Sequence, residues 1–124
     1  MPRQKCFSVS TYKQLEDLIN IRNRIENKTI IHIKYYLIKG FGIEWLKTLQ
    51  LIVSQIDRKH KIIFYVDCGY DYGLSILLIK EKIKYIRLKA NAKILRKINN
   101  ICHRNKVLLN PDFNIVEVSK IKKI

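Results

Sequence analysis

Apolar positions along the chain fall into short runs that switch between two spacings. KCFSVS, residues 5–10, reads as a first strand. Thr11 and Gln14 then form a Thr-x-x-Gln capping box, and Leu15, Leu18, Ile19 and Ile25 share one helical face with Arg22 at its edge. That helix is expected to fray near Asn27. TIIHIKYYLI, residues 29–38, alternates and predicts a second strand, with Ile31, Ile33, Tyr35 and Leu37 on one face and His32 and Lys34 on the other. Lys39-Gly40-Phe41-Gly42 follows. Ile43, Leu46, Leu49, Ile52, Val53 and Ile56 then recur at three-and-four spacing, with Trp45 packed beside them, and Arg58-Lys59-His60-Lys61 closes the helix where positive charge suits the dipole.

Ile62 to Val66 is a continuous apolar run, β-branched and aromatic, as expected of a strand buried on both faces. It stops at Asp67-Cys68-Gly69, and a nearly all-apolar helix runs from about Gly73 to Lys82 with Asp71 as its N-cap. A mixed-polarity fourth strand over residues 83–89 is expected nearer an edge or with one face in water. Asn91 caps a last helix with the stripe Ile94, Leu95, Ile98, Ile101 and Cys102, ending near Asn105. A fifth short strand at residues 107–109, a turn at 110–112, a weak edge strand over 113–119 and a frayed tail at 120–124 complete the chain. Strands alternating with helices of ten to fifteen residues predict a single α/β domain over 1–124 with a mostly parallel sheet and right-handed crossovers. An open three-layer sheet, a two-layer sheet and a half β/α barrel all satisfy the pattern.

Length and composition sharpen this. A chain of 124 residues buries enough surface to need no staples. Cys6, Cys68 and Cys102 are odd in number, far apart and without a CxxC, which suits reduced thiols in a cytoplasm. No apolar run is long enough to cross a bilayer, so no membrane partner is expected. Net charge is +15, but Ile, Lys and Asn make up about two-fifths of the chain while Ala, Gly and Pro are scarce. All three abundant residues have A/T-rich codons, so codon drift competes with a selected polyanion site. Concentration of the charge on one face would decide between them.

Candidate chemistry gathers at the carboxyl end of the central strand, where ligands bind in parallel sheets. Asp67, Cys68 and Asp71 cluster there, and Gly69 and Gly73 let backbone amides approach a ligand. Lys39, beside Gly40, and Lys89 end neighbouring strands on this reading and supply positive charge, with Asn110 and Asp112 within reach of the same edge. The competing interpretation is structural: the two aspartates bond turn amides, Cys68 packs and the glycines permit the backbone path. Cys68 lacks a partner base, because His32 lies within a strand and His60 and His103 lie near helix ends on the opposite rim. Gly40-x-Gly42 is no dinucleotide fingerprint, since Trp45 takes the third glycine's place, and Cys102-His103 alone makes no zinc site. On the last helix Lys93, Arg96, Lys97 and Arg104 share a polar face that could track phosphates, with Lys80, Lys82 and Lys84 nearby.

The succession of a first strand ending in Ser, Gly40-x-Gly42 before an aromatic-bearing helix, and an apolar strand ending in Asp67-Cys68-Gly69 with Gly73 opening the next helix resembles a family of small uncharacterised bacterial α/β proteins. The hallmark of that family is the Asp-Cys-Gly strand end, and the similarity runs from about Phe7 to Asp112. The segment after the second strand, the Lys82-Ile83-Lys84 stretch and the chain end depart from its pattern. The resemblance implies interest in Asp67, Cys68, Gly69 and Gly73 and brings no reaction with it. The expected function is a binding or interaction module with a small-anion site at the strand carboxyl ends, no cofactor or metal, and self-association through open sheet edges. The alternatives are an enzyme on a small anionic substrate, with Asp67 as acid or base and Lys89 as electrophile, or a nonspecific nucleic-acid binder.

Overall fold

Six strands form one parallel sheet in the order β5-β4-β3-β2-β1-β6 in a computed structural model that describes residues 4–25, 28–57 and 61–118, with the backbone alone described over 21–25. The elements are β1 (Lys5–Val9), α1 (Tyr12–Ile25), β2 (Thr29–Ile33), α2 (Tyr35–Phe41), α3 (Ile43–Ile56), β3 (Ile62–Asp67), α4 (Tyr72–Lys80), β4 (Tyr85–Arg87), α5 (Ala92–Arg104), β5 (Leu108–Leu109) and β6 (Asn114–Glu117). The expected single α/β domain with a parallel sheet is what the chain forms. The fraying at Asn27, the side chains of Arg22 and Ile25, the Arg58-Lys59-His60 helix end and the 120–124 tail lie outside the described residues.

Strands β1 to β5 advance in one direction across the sheet. With right-handed crossovers this puts every connecting helix on the same face. Packing agrees: Phe7, Val9, Ile31, Ile33, Phe64, Val66, Ile86 and Leu88 form one buried cluster with residues from all five helices. The opposite face carries a separate small cluster of Cys6, Ile30, Tyr65 and Tyr85, closed by Phe113 and Ile63. A three-layer sandwich is therefore excluded.

The sheet is also strongly curled. β5 and β6 are its two edges, so a flat sheet would hold them about 24 Å apart, at about 4.8 Å per strand. Only residues 110–113 join them, and five backbone steps reach about 18 Å at most. The edges must bend toward one another. The short connection crosses the concave face and drops Phe113 into it, edge-on to Tyr65 and Tyr85 at 5.5 and 4.9 Å between centroids. Of the three arrangements the pattern allowed, the chain adopts an incomplete β/α barrel with its helices outside.

The second strand is shorter than its alternation predicts. It stops at Ile33, and residues 35–41 form α2. Leu37 and Ile38 bury in the main core, and Phe41, at the end of α2, lies tilted against Trp45 of α3 at 5.2 Å between centroids. Burial of that helical face outweighs the strand propensity of the Tyr-Tyr-Leu-Ile run. Lys39 and Gly40 consequently sit in the last turn of a helix, away from the strand end expected for them.

The capping signals are realised with small differences. Thr11 Oγ1 accepts from the Gln14 amide at 3.1 Å, while Gln14 Oε1 reaches back to the Ser10 amide at 2.7 Å, one residue before the cap. Asn91 accepts from the Ile94 amide at 2.9 Å. β4 spans three residues and lies one strand in from the edge. On α4, Leu74, Leu78 and Ile79 are buried, but Leu77 stays exposed.

Candidate functional site

The rim around Asp67 forms as a unit, and its polar groups are taken up by the turn. Asp67 ends β3 half-buried, and its Oδ1 accepts from the Gly69 amide at 2.8 Å. Asp71 caps α4, accepting from the Leu74 amide at 3.0 Å. Cys68 is fully buried toward the helices, and burial first, then the nearby Asp67 and Asp71, pushes its thiol far above the ordinary range. It is no nucleophile at neutral pH.

Gly69 has φ +58°, and the Tyr35 ring lies 3.0 Å from where a Cβ would stand, so both conformation and space demand glycine. Gly73 sits in the first turn of α4 with only the Asp71 carboxylate near its missing Cβ. The Lys89 amide donates to Gly69 O at 2.8 Å, and its ammonium stands 5.7 Å from the exposed Tyr70 ring. Asn110 uses its side chain as a strand, accepting from the Leu88 amide at 2.8 Å and donating to Leu88 O at 3.1 Å. The rim is thus well built as a turn, and Lys39 and Gly40 stand on α2, the helix whose first residue, Tyr35, packs against Gly69.

A second group of residues, on the concave face, converges more tightly. Strand pairing places Glu117, Ser8, His32, Tyr65, Tyr85 and Leu108 in one register row across all six strands. Two residues nearer the amino ends, the same face presents Ile115, Cys6, Ile30 and Ile63. Two residues nearer the carboxyl ends it presents Asp67 beside Arg87. Lys34, just past the end of β2, pairs with Glu117 at 2.8 Å. The concave face therefore grades from apolar, through a hydroxyl–imidazole–phenol row, to charge at its carboxyl mouth. This end is the one where β/α barrels hold their ligands.

His32 is the centre of that row. It is 5% exposed, its Nδ1 lies 3.0 Å from Ser8 Oγ, and its ring tilts against Tyr65 at 5.1 Å between centroids. Its Nε2 is buried and has no hydrogen-bond partner among the described residues. Burial lowers the imidazole pKa below 6.5, against the pull of Asp67 and Glu117, so the ring is neutral at pH 7. Burial likewise raises Tyr65 to about 12, against the opposing effect of Arg87.

Sequence reasoning set His32 aside as mid-strand; it is in fact the next-to-last residue of β2, because α2 begins so early. Ser8, His32, Tyr65, Asp67 and Arg87 are the polar members of alternating strand positions. Aligning the strands at their carboxyl ends is the signal that would have gathered them.

One further surface lies on the helix side. It is an apolar cleft of about 330 Å³, lined by Leu15, Ile33, Leu37, Phe41, Trp45 and Leu49 among others, with no charged residue in its wall. Among the described residues, no three His, Cys, Asp or Glu side chains are grouped to hold a metal ion, and no helix is long and apolar enough to cross a membrane. No protein-family model matches the chain, and no curated protein matches it.

Proposed function

We propose that this small single-domain α/β protein is a cytoplasmic binding module whose ligand sits at the carboxyl mouth of the concave face. The ligand is a small polar molecule with an acidic group. Arg87, cross-strand from Asp67 and facing the Tyr65 hydroxyl, supplies its charge partner, while Glu117 is paired with Lys34. His32 supplies the inner hydrogen bond. The observation that carries this reading is His32 Nε2: a buried polar atom without a partner costs about 1–3 kcal/mol, which a ligand atom would offset.

On this reading the Asp-Cys-Gly turn that underlies the resemblance holds the mouth in shape, and the ligand contacts lie on neighbouring strands. Three separate buried thiols suit a reducing compartment. The enzyme alternative, with Asp67 as acid or base and Lys89 as electrophile, belongs to the neighbouring rim, where the Lys89 ammonium stands 5.7 Å from the exposed Tyr70 ring. Self-association belongs to the same proposal, through the open β6 edge where Ile115 is exposed.

Thermal-shift titration with phosphorylated and carboxylated metabolites tests it. At least one should raise Tm in wild type, and that gain should vanish in Arg87→Gln and in His32→Gln. A panel with no stabilising ligand, or one that stabilises both variants equally, refutes the assignment.

A further inference from the structure

The positive charge is concentrated. From Lys82 to Pro111 the chain has nine Lys and Arg residues and no Asp or Glu. These residues build the α4–β4 turn, β4, α5 and β5, which form one edge of the molecule. Codon drift adds lysine throughout a chain; it does not by itself keep every acid out of the stretch between Glu81 and Asp112.

The geometry of that edge is equally one-sided. Lys93, Arg96, Lys97 and Arg104 are all exposed on α5, whose length from the first to the last of them is about 16 Å. At the helix's carboxyl end a hollow of about 420 Å³ is lined by Lys82, Lys84, Arg104, Asn105 and Lys106. Lys82 Nζ donates to Asn105 Oδ1 at 3.1 Å, which ties the two turns together. Lys82 and Lys106 both hold left-handed backbone, φ +62° and +59°, at positions where glycine is the usual and less strained residue. None of these exposed cations is in an ion pair with a described residue, and neighbouring Glu81 is drawn off by Lys47 at 3.2 Å.

We infer that this edge binds a nucleic-acid duplex through its phosphate backbone, without reading its sequence. The stretch from Ala90 to Asn110 has no Phe, Tyr or Trp, and its one imidazole, His103, is a small platform for stacking unpaired bases. The apolar stripe of α5 faces the core through Ile98 and Cys102, so the helix has little to insert into a lipid surface. What it presents is a row of exposed cations, unpaired among the described residues, at phosphate-tracking spacing. The site is separate from the concave mouth, and each proposal can fail without the other.

Fluorescence anisotropy with labelled DNA and RNA duplexes of mixed sequence tests it. Affinity for at least one duplex should fall with salt at a log–log slope of about −4, the value for four to five neutralised phosphates. Lys97→Glu with Arg104→Glu should weaken binding at least about 30-fold at moderate salt, as expected when two phosphate contacts become repulsive. Lys5→Glu with Lys13→Glu changes net charge equally on other elements and should stay within about threefold. If charge reversal disturbs folding, neutral Arg96→Gln with Lys97→Gln gives the same ordering. Equal losses in the edge and control pairs would reduce the effect to net charge and overturn the inference. So would absent duplex binding, or tighter binding to single strands, to phosphatidylserine vesicles or to polyglutamate.

Discussion

Lys82 and Lys106 show how single residues carry cost and consequence together. Each ends its helix in the same motif. The Lys82 amide bonds Ile79 O at 3.1 Å and the Ile83 amide bonds Leu78 O at 3.1 Å; the Lys106 amide bonds His103 O at 3.3 Å and the Val107 amide bonds Cys102 O at 2.9 Å. Both motifs need a left-handed residue, which for a side chain larger than glycine's costs about 1 kcal/mol. Lys82→Gly and Lys106→Gly should each raise unfolding free energy by about 0.5–1 kcal/mol in urea titrations; a loss of stability would mean the lysine stems contribute more by packing than the backbone loses. His32 acts at the same scale. Its folded pKa is depressed, so the unfolded chain takes up the proton first as pH drops below about 6.5. The stability it contributes is complete above that value and is lost as pH falls toward the folded pKa. Tm should decline between about pH 7 and 5, and His32→Gln should flatten the decline; an unchanged slope in the variant would assign it to other groups.

Elements are joined here by side chains that finish what the backbone leaves open. Asp57 follows α3, is 5% exposed, and accepts from the amides of Lys61 and Ile62 at 3.1 and 2.8 Å, so the residue whose own amide closes the helix on Val53 O starts β3 with its carboxylate. Asp57→Ala strips partners from two amides beside a buried strand and should cost about 2–3 kcal/mol, measured by denaturant unfolding; a change under about 0.5 kcal/mol would mean water replaces it fully. The register of α3, residues 43–56, was legible because six apolar residues keep helical spacing for four turns. α2 was not legible, because in seven residues alternation and helical spacing score alike, and only contact with Trp45 and the core separates them. That one short helix took Lys39 from a strand end into a helical turn and brought His32 near a strand end.

For the molecule as a whole, curvature decides what the concave face can be. A flat sheet with helices on one side would leave Tyr65, Tyr85 and His32 facing water. The short 110–113 connection bends the sheet until Phe113 covers the two tyrosines and His32 is enclosed. The chain's own spacings determined the alternation of strands and helices, the parallel sheet, the caps at Asp71 and Asn91, and the turn at Asp67-Cys68-Gly69, because each depends on residues within a few positions of one another. Strand order, the side on which the helices lie, the meeting of Ser8, His32, Tyr65, Asp67 and Arg87, and the gathering of lysines from two separate turns into one hollow were settled only in three dimensions. Those features depend on contacts between residues tens of positions apart, chosen by which faces bury together, and periodicity along the chain records which face a residue takes but not its neighbour on the next strand.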